Sequence, residues 1–193
     1  MGSGIEPSPP CGYFPRHRPA PRPERRGRRT ATAAGRGPPR PARERHRRGD
    51  RMADVTARAR IEAPAGKIWD RLIDFDSHGQ WNATHTGFPD GGPRPLEVGA
   101  GYTENMKLMG FPAEVTWTVR ELAPGRLLGI AGKGPMGVTL GMRYELTPDG
   151  AATSVRIDGT FTGAAVSLMA AKLKDSASAA LDESLRDLAG LVT

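Results

Sequence analysis

The apolar residues of this chain change their period once, near Ala164, and the change governs what the chain can fold into. Beyond it, Val166, Met169, Leu173, Ala177, Ala180, Leu181, Ser184, Leu188 and Leu191 trace one stripe at a spacing of 3.6 as far as the C-terminus. A helix of about 28 residues at 1.5 Å each spans roughly 42 Å. Such a helix is too apolar to stand alone and needs a partner of matching length. A strongly curved antiparallel sheet supplies one.

The residues before Ala164 provide that sheet. Val55, Ala57, Ala59, Ile61 and Ala63 alternate with polar neighbours, the pattern of a half-buried strand. Pro64 then sits where the first turn of a helix tolerates proline. Ile68, Trp69, Leu72 and Ile73 fall at helical spacing, and a second short helix or turn carries Trp81. Residues 84–88 form a short strand before the turn Pro89-Asp90-Gly91-Gly92-Pro93. Alternation resumes from Tyr102 to Met109, then at Val115, Trp117 and Val119. It continues through Leu127 to Ile130, through Val138, Leu140, Met142, Tyr144 and Leu146, and through Val155, Ile157, Gly159 and Phe161. Pro124-Gly125 and Pro148-Asp149-Gly150 turn the chain between strands.

Charge separates a tail from this domain. Residues 1–51 hold 14 arginines and no lysine against 4 acids, a net charge of +10. The remainder carries −3, so the folded part gives no reason to attract nucleic acid. The tail also holds 10 of the 18 prolines and no apolar period, and it is expected to be disordered. Two further readings compete for it. Its arginines could neutralise phosphates as a basic arm, or translation could begin at Met52. The second explains more: Arg, Pro, Gly and Ala are what GC-rich DNA encodes without selection, and Met52 lies just before the first periodic segment. The one cysteine, Cys11, is in the tail, so neither an internal disulfide nor a cysteine zinc site forms. No apolar run reaches the ~18 residues of a membrane span. A cytoplasmic protein is expected.

The segments Ala63-Pro64-Ala65-Gly66-Lys67-Ile68-Trp69-Asp70 and Phe75-Asp76-Ser77-His78-Gly79-Gln80-Trp81, in this order of elements, resemble the polyketide cyclase/dehydrase and lipid-transport family of the START or Bet v 1-like superfamily. The resemblance spans about 140 residues and is specific for fold. It implies an α+β helix-grip fold: a curved antiparallel sheet of six to seven strands around a long C-terminal helix, with two short helices after the first strand. It also implies an internal cavity for a small hydrophobic, lipid- or polyketide-like ligand, with no cofactor. No catalytic motif comes with it, so a carrier and a cyclase-type enzyme stay open. Gly110-Phe111-Pro112 and Val115-Thr116-Trp117-Thr118-Val119 resemble a bacterial subgroup described as the toxin half of toxin–antitoxin pairs, which implies a protein partner.

Phase selects the cavity residues. Trp117, Met106, Leu108, Met142, Tyr144 and Phe161 share the apolar faces of their strands, and Met169 lies on the helical stripe. With Met109 and Met136 they make a methionine-rich set, suited to plain packing or to an adaptable cavity. Glu104 has the phase of Met106 and Leu108, so it faces inward and needs a partner, for which Arg143 or Tyr102 is the candidate. Arg143 phases outward. Trp69 and Trp81 read as core anchors. His78 reads as a solvated turn residue, and His85 as a residue near a strand with a general-base role open to it. No metal site is expected, because no acid–His spacing is ordered along the chain. Gly132 to Gly137 matches no phosphate loop and reads as a hairpin or lid. Gly159, between Ile157 and Phe161, is where a larger side chain is expected to fill the cavity.

Overall fold

The computed structural model describes residues 53–193. The expectations for residues 1–51, disorder and a late start among them, lie outside the described residues. Strand β1, Ala53–Ile61, leads into helix α1, Ala65–Leu72, and a 3-10 turn, Phe75–Gln80. Then follow β2 (His85–Gly87), β3 (Gly101–Leu108), β4 (Phe111–Ala123), β5 (Leu127–Lys133), β6 (Thr139–Asp149), β7 (Ala152–Thr162) and the terminal helix α2 (Ala164–Val192). All neighbours in the sheet are antiparallel, in the order β1-β7-β6-β5-β4-β3-β2. This is the helix-grip arrangement: seven curved strands around one long helix.

Turn chemistry sets the strand lengths. Met109 and Gly110 form the two-residue link between β3 and β4, and both have positive φ, at 52° and 84°. Such a turn favours Asn or Gly, so Met109 is held there at a cost. Its side chain packs on the core edge.

The backbone of α2 comes closest to β1 and stands off from the middle of the sheet. Its buried residues are Val166, Leu173, Ala177, Ser184, Leu185, Leu188 and Val192. Leu185 and Val192 widen the stripe read from the sequence, and Met169 leaves it. The cause at Met169 is local: its backbone is not helical (φ −135°, ψ 26°), so the helix breaks there and the side chain is 46% exposed. At the far end, Lys67 Nζ on α1 donates a 2.6 Å hydrogen bond to the Val192 carbonyl, satisfying one of the helix's terminal acceptors.

A packed core lies between β1, β6, β7 and the second half of α2, where Ile61, Val155, Ile157, Leu146 and Leu188 are all buried. Gly159 belongs to this packed part, not to a cavity wall. A β-carbon there would stand 2.8 Å from Val55 Cγ2 and 3.2 Å from Met142 Sδ. The expected role of Gly159 as the filling point is therefore corrected: the face is right, but Val55 already occupies the space.

Candidate functional site

Because α2 stands off from the central strands, two adjoining spaces remain between helix and sheet. The inner one, about 60 Å³, is lined by Phe75, His78, Trp81, Tyr102, Glu104, Trp117, Met142, Tyr144 and Ala177, among others. The outer one, about 380 Å³, is a groove bounded by Met109, Phe111, Val115, Met136, Val138, Val166, Met169 and Leu173. Met106, Leu108, Leu140 and Phe161 border both. The inward-phased residues are thus brought to one continuous wall. Trp117, Glu104, Met142 and Tyr144 lie at its inner end, Met106, Leu108 and Phe161 at the junction, and Met169 at the outer end.

The outer groove is almost wholly apolar. Its rim carries exposed Phe111 (68%) and Met136 (84%). Met136, like Met109, has positive φ (56°) without being glycine. Two methionines in the left-handed region flank one groove, which is strain localised beside a cavity. Met136 lies in the short turn Pro135–Gly137 between β5 and β6, inside the segment read as a hairpin or lid.

The inner chamber has a polar end built on β3 and β4. Glu104 is 3% exposed. Its Oε2 accepts a 2.7 Å hydrogen bond from Trp117 Nε1, and its Oε1 lies 2.9 Å from His85 Nδ1 and 3.9 Å from His78 Nε2. The carboxylate's partners are therefore His85 and Trp117. Arg143 is not one of them: it points outward to Glu145 at 2.8 Å and Glu121 at 3.6 Å. Tyr102 lines the same chamber without bonding the carboxylate.

His78 corrects a second expectation. It is 8% exposed, not solvated. The 3-10 turn folds it under the sheet edge among Phe75, Trp81, His85 and Phe88, with ring centroids 4.6 Å from Trp81 and 5.0 Å from His85. Its Nε2 lies 2.8 Å from Asn82 Nδ2, while Nδ1 is buried without a partner, as is Trp81 Nε1. Burial, and secondarily the charge of His85, push the His78 imidazole down to about 3. Trp81 lines the chamber as well as anchoring the core. Burial raises the Tyr144 hydroxyl, with Glu104 adding to the effect, and raises Tyr102 through burial, Tyr144 and Glu104. Both phenols therefore stay protonated and can donate to a ligand.

Sequence reasoning missed the junction of His78, His85 and Glu104. The one signal for it is that His85 opens a short strand that pairs with β3 beside Glu104, with His85 opposite Met106.

Comparison with known proteins settles the family. The sequence model of the family described as polyketide cyclase / dehydrase and lipid transport matches residues 52–193. The chain belongs to this family. Its fold recurs in solved structures of low identity. A START superfamily protein from Mycobacterium smegmatis is 20% identical with a TM-score of 0.57, over 72% of this chain and 96% of that one. A protein from Thermus thermophilus is 14% identical at 0.60, over 72% and 96%. Ara h 8.0201 is 8% identical at 0.57, over 73% and 97%. At these identities the likeness is one of fold alone. No curated protein matches. The family and the fold together make this a ligand-binding architecture. No helix among the described residues is long and apolar enough to cross a membrane.

Proposed function

We propose that residues 52–193 bind one small, largely apolar molecule, lipid- or polyketide-like, as a carrier. Its body lies in the outer groove and its polar end reaches the inner chamber. The observation that carries this reading is the wall shared by the two spaces: Met106, Leu108, Leu140 and Phe161 border both, and the inner one also holds a buried carboxylate, Glu104. Such a wall favours a ligand with one polar end, because burying a second polar group against the methionines would leave it unpaired. Tyr102 and Tyr144 offer donors to that end, and Glu104 an acceptor.

The test is a fluorescence titration with an anilinonaphthalene sulfonate dye, followed by displacement with long-chain alcohols and fatty acids. Ala177, on α2, faces the inner chamber and is the better filling point than Gly159. Ala177→Leu is expected to weaken displacement by ligands whose polar end must enter the chamber by about tenfold, about 1.4 kcal/mol. It leaves dye in the outer groove. Equal displacement in both chains contradicts the inner placement.

A second reading is favoured by one specific observation. His78, Glu104, Tyr102 and Tyr144 converge on one chamber, which supplies the acid and base groups a cyclase or dehydrase needs. Recovering the ligand unchanged after prolonged incubation supports the carrier, and conversion supports the enzyme. The toxin reading, with its antitoxin partner, draws only on the exposed apolar rim at Phe111 and Met136. A protein that covered this rim would block dye entry.

A further inference from the structure

Three potential metal ligands meet at the inner end of the chamber, where the apolar-ligand reading needs only an acceptor. His78, His85 and Glu104 each present one donor atom, and the three atoms lie within 4.8 Å of one another. Glu104 Oε1 is 2.9 Å from His85 Nδ1 and 3.9 Å from His78 Nε2. Tetrahedral zinc, bound to nitrogen and oxygen at about 2.0–2.2 Å, holds its donors roughly 3.3 Å apart. The two observed separations bracket that value.

Charge points the same way. Among the described residues no Lys or Arg forms an ion pair with Glu104, and the two imidazoles are the only bases beside it. A buried carboxylate without a fixed cation is costly, and a divalent ion supplies the missing charge. The support around the carboxylate is also in place. Trp117 Nε1 holds Oε2 at 2.7 Å, which leaves Oε1 facing the imidazoles, the kind of outer contact that orients a metal-binding carboxylate.

The state of His78 is set by Asn82. The Asn82 Oδ1 accepts from Thr84 N at 3.1 Å and Thr84 Oγ1 at 2.9 Å, so its Nδ2 is the atom that donates to His78 Nε2. Nε2 therefore carries the lone pair, as a metal ligand must. Asn82 occupies that lone pair until an ion displaces it.

We propose that His78, His85 and Glu104 form a divalent-metal site suited to Zn²⁺, with a coordination position open to the chamber. Two nitrogens and one carboxylate, with a position left for water or ligand, make the pattern of a reactive zinc and not of a closed structural one. Glu104 and His78 both line the chamber, so a bound ligand's polar end would meet the ion. The site does not depend on the apolar-ligand reading: zinc alone tests it, and dye binding can succeed or fail separately.

The experiment is a calorimetric titration of Zn²⁺ into the full chain carrying Cys11→Ser, His17→Ala and His46→Ala, which removes the tail's thiol and imidazole ligands. Co²⁺ is then substituted and followed by its visible absorption. One equivalent is expected. The ring nitrogen signals of His78 and His85 should shift together in NMR spectra of the chain with its site intact, which decides the matter even if site variants fold poorly. Glu104→Gln and His85→Ala should lose the site. Trp117→Phe should weaken it about 10–100-fold by freeing the carboxylate. No uptake by the folded parent overturns the proposal. So does uptake that moves neither histidine, or uptake unchanged by Glu104→Gln and His85→Ala.

Discussion

The indole of Trp117 lies where a β-carbon on Gly132 would be. The two residues face each other across β4 and β5. A Cβ built at 132 would stand 2.7 Å from both Cε3 and Cζ3 of Trp117, and 2.8 Å from Val115 Cγ1. The absence of a side chain on β5 lets the indole lie across the sheet with Nε1 on Glu104. Gly132→Ala is therefore expected to destabilise the domain by about 1–3 kcal/mol, since two buried neighbours must move. Chemical denaturation measures this. Stability unchanged from the parent would mean that Trp117 has room to spare.

The buried His78 makes the metal-free domain sensitive to acid. Its imidazole is held down to about 3 by burial first and by the charge of His85 second, whereas an unfolded histidine titrates near 6.5. Between those values the unfolded chain binds the extra proton, so stability is fully present above pH 6.5 and is lost as pH falls toward 3. The loss approaches about 1.4 kcal/mol per pH unit at its steepest. His85 and Glu104 face the same ring, so the comparison that isolates His78 is a His78→Phe chain in chelator-treated buffer. Its melting curves should show a shallower pH slope. Equal slopes would place the acid sensitivity elsewhere.

Two leucines on α2 should separate the packed half of the interface from the open half. Leu188 is fully buried, while Leu173 is buried but borders the outer groove. Leu188→Ala is expected to cost about 2–5 kcal/mol. Leu173→Ala should cost less, because its neighbours already lack atoms on the groove side. Denaturation midpoints of the two variants test this ordering, and a reversed order would put the loose end of the helix at its C-terminus.

Much of this was legible in the chain. The alternation on β3, β4 and β6 correctly sets the faces of Glu104, Trp117 and Tyr144, because strand period is two and one face is buried. It also turns Arg143 outward. What the pattern does not carry is the depth of residues outside regular strands. His78 sits in a 3-10 turn, which has no period of its own, and its burial comes from Phe75, Trp81 and Phe88 closing round it. The meeting of His78, His85 and Glu104 depends on how β2 pairs with β3, a short and irregular register that no local spacing reveals. Gly159 shows a related limit: phase says which face a residue is on, but not whether that face is already full.

The Arg- and Pro-rich tail gives a further prediction. We propose that residues 1–51 contribute nothing to the stability of the domain, consistent with their composition and with a family match that begins at residue 52. A chain of residues 52–193 should melt at the same temperature as the full chain. A midpoint lower by more than a few degrees would show that the tail packs on the domain.

The central claim is that the groove and chamber are one ligand site, and the methionines report on it directly. Of the chain's 7 methionines, Met1 and Met52 lie outside the described residues, and the other five all line the cavity or the groove. With ¹³C-methyl methionine, titration with a fatty acid should shift Met109, Met136 and Met169 at the groove, Met106 at the junction and Met142 in the chamber, leaving Met1 and Met52 unmoved. Shifts confined to the groove methionines would contradict a single continuous site. A spectrum in which no domain methionine moves at saturating ligand would contradict the claim altogether.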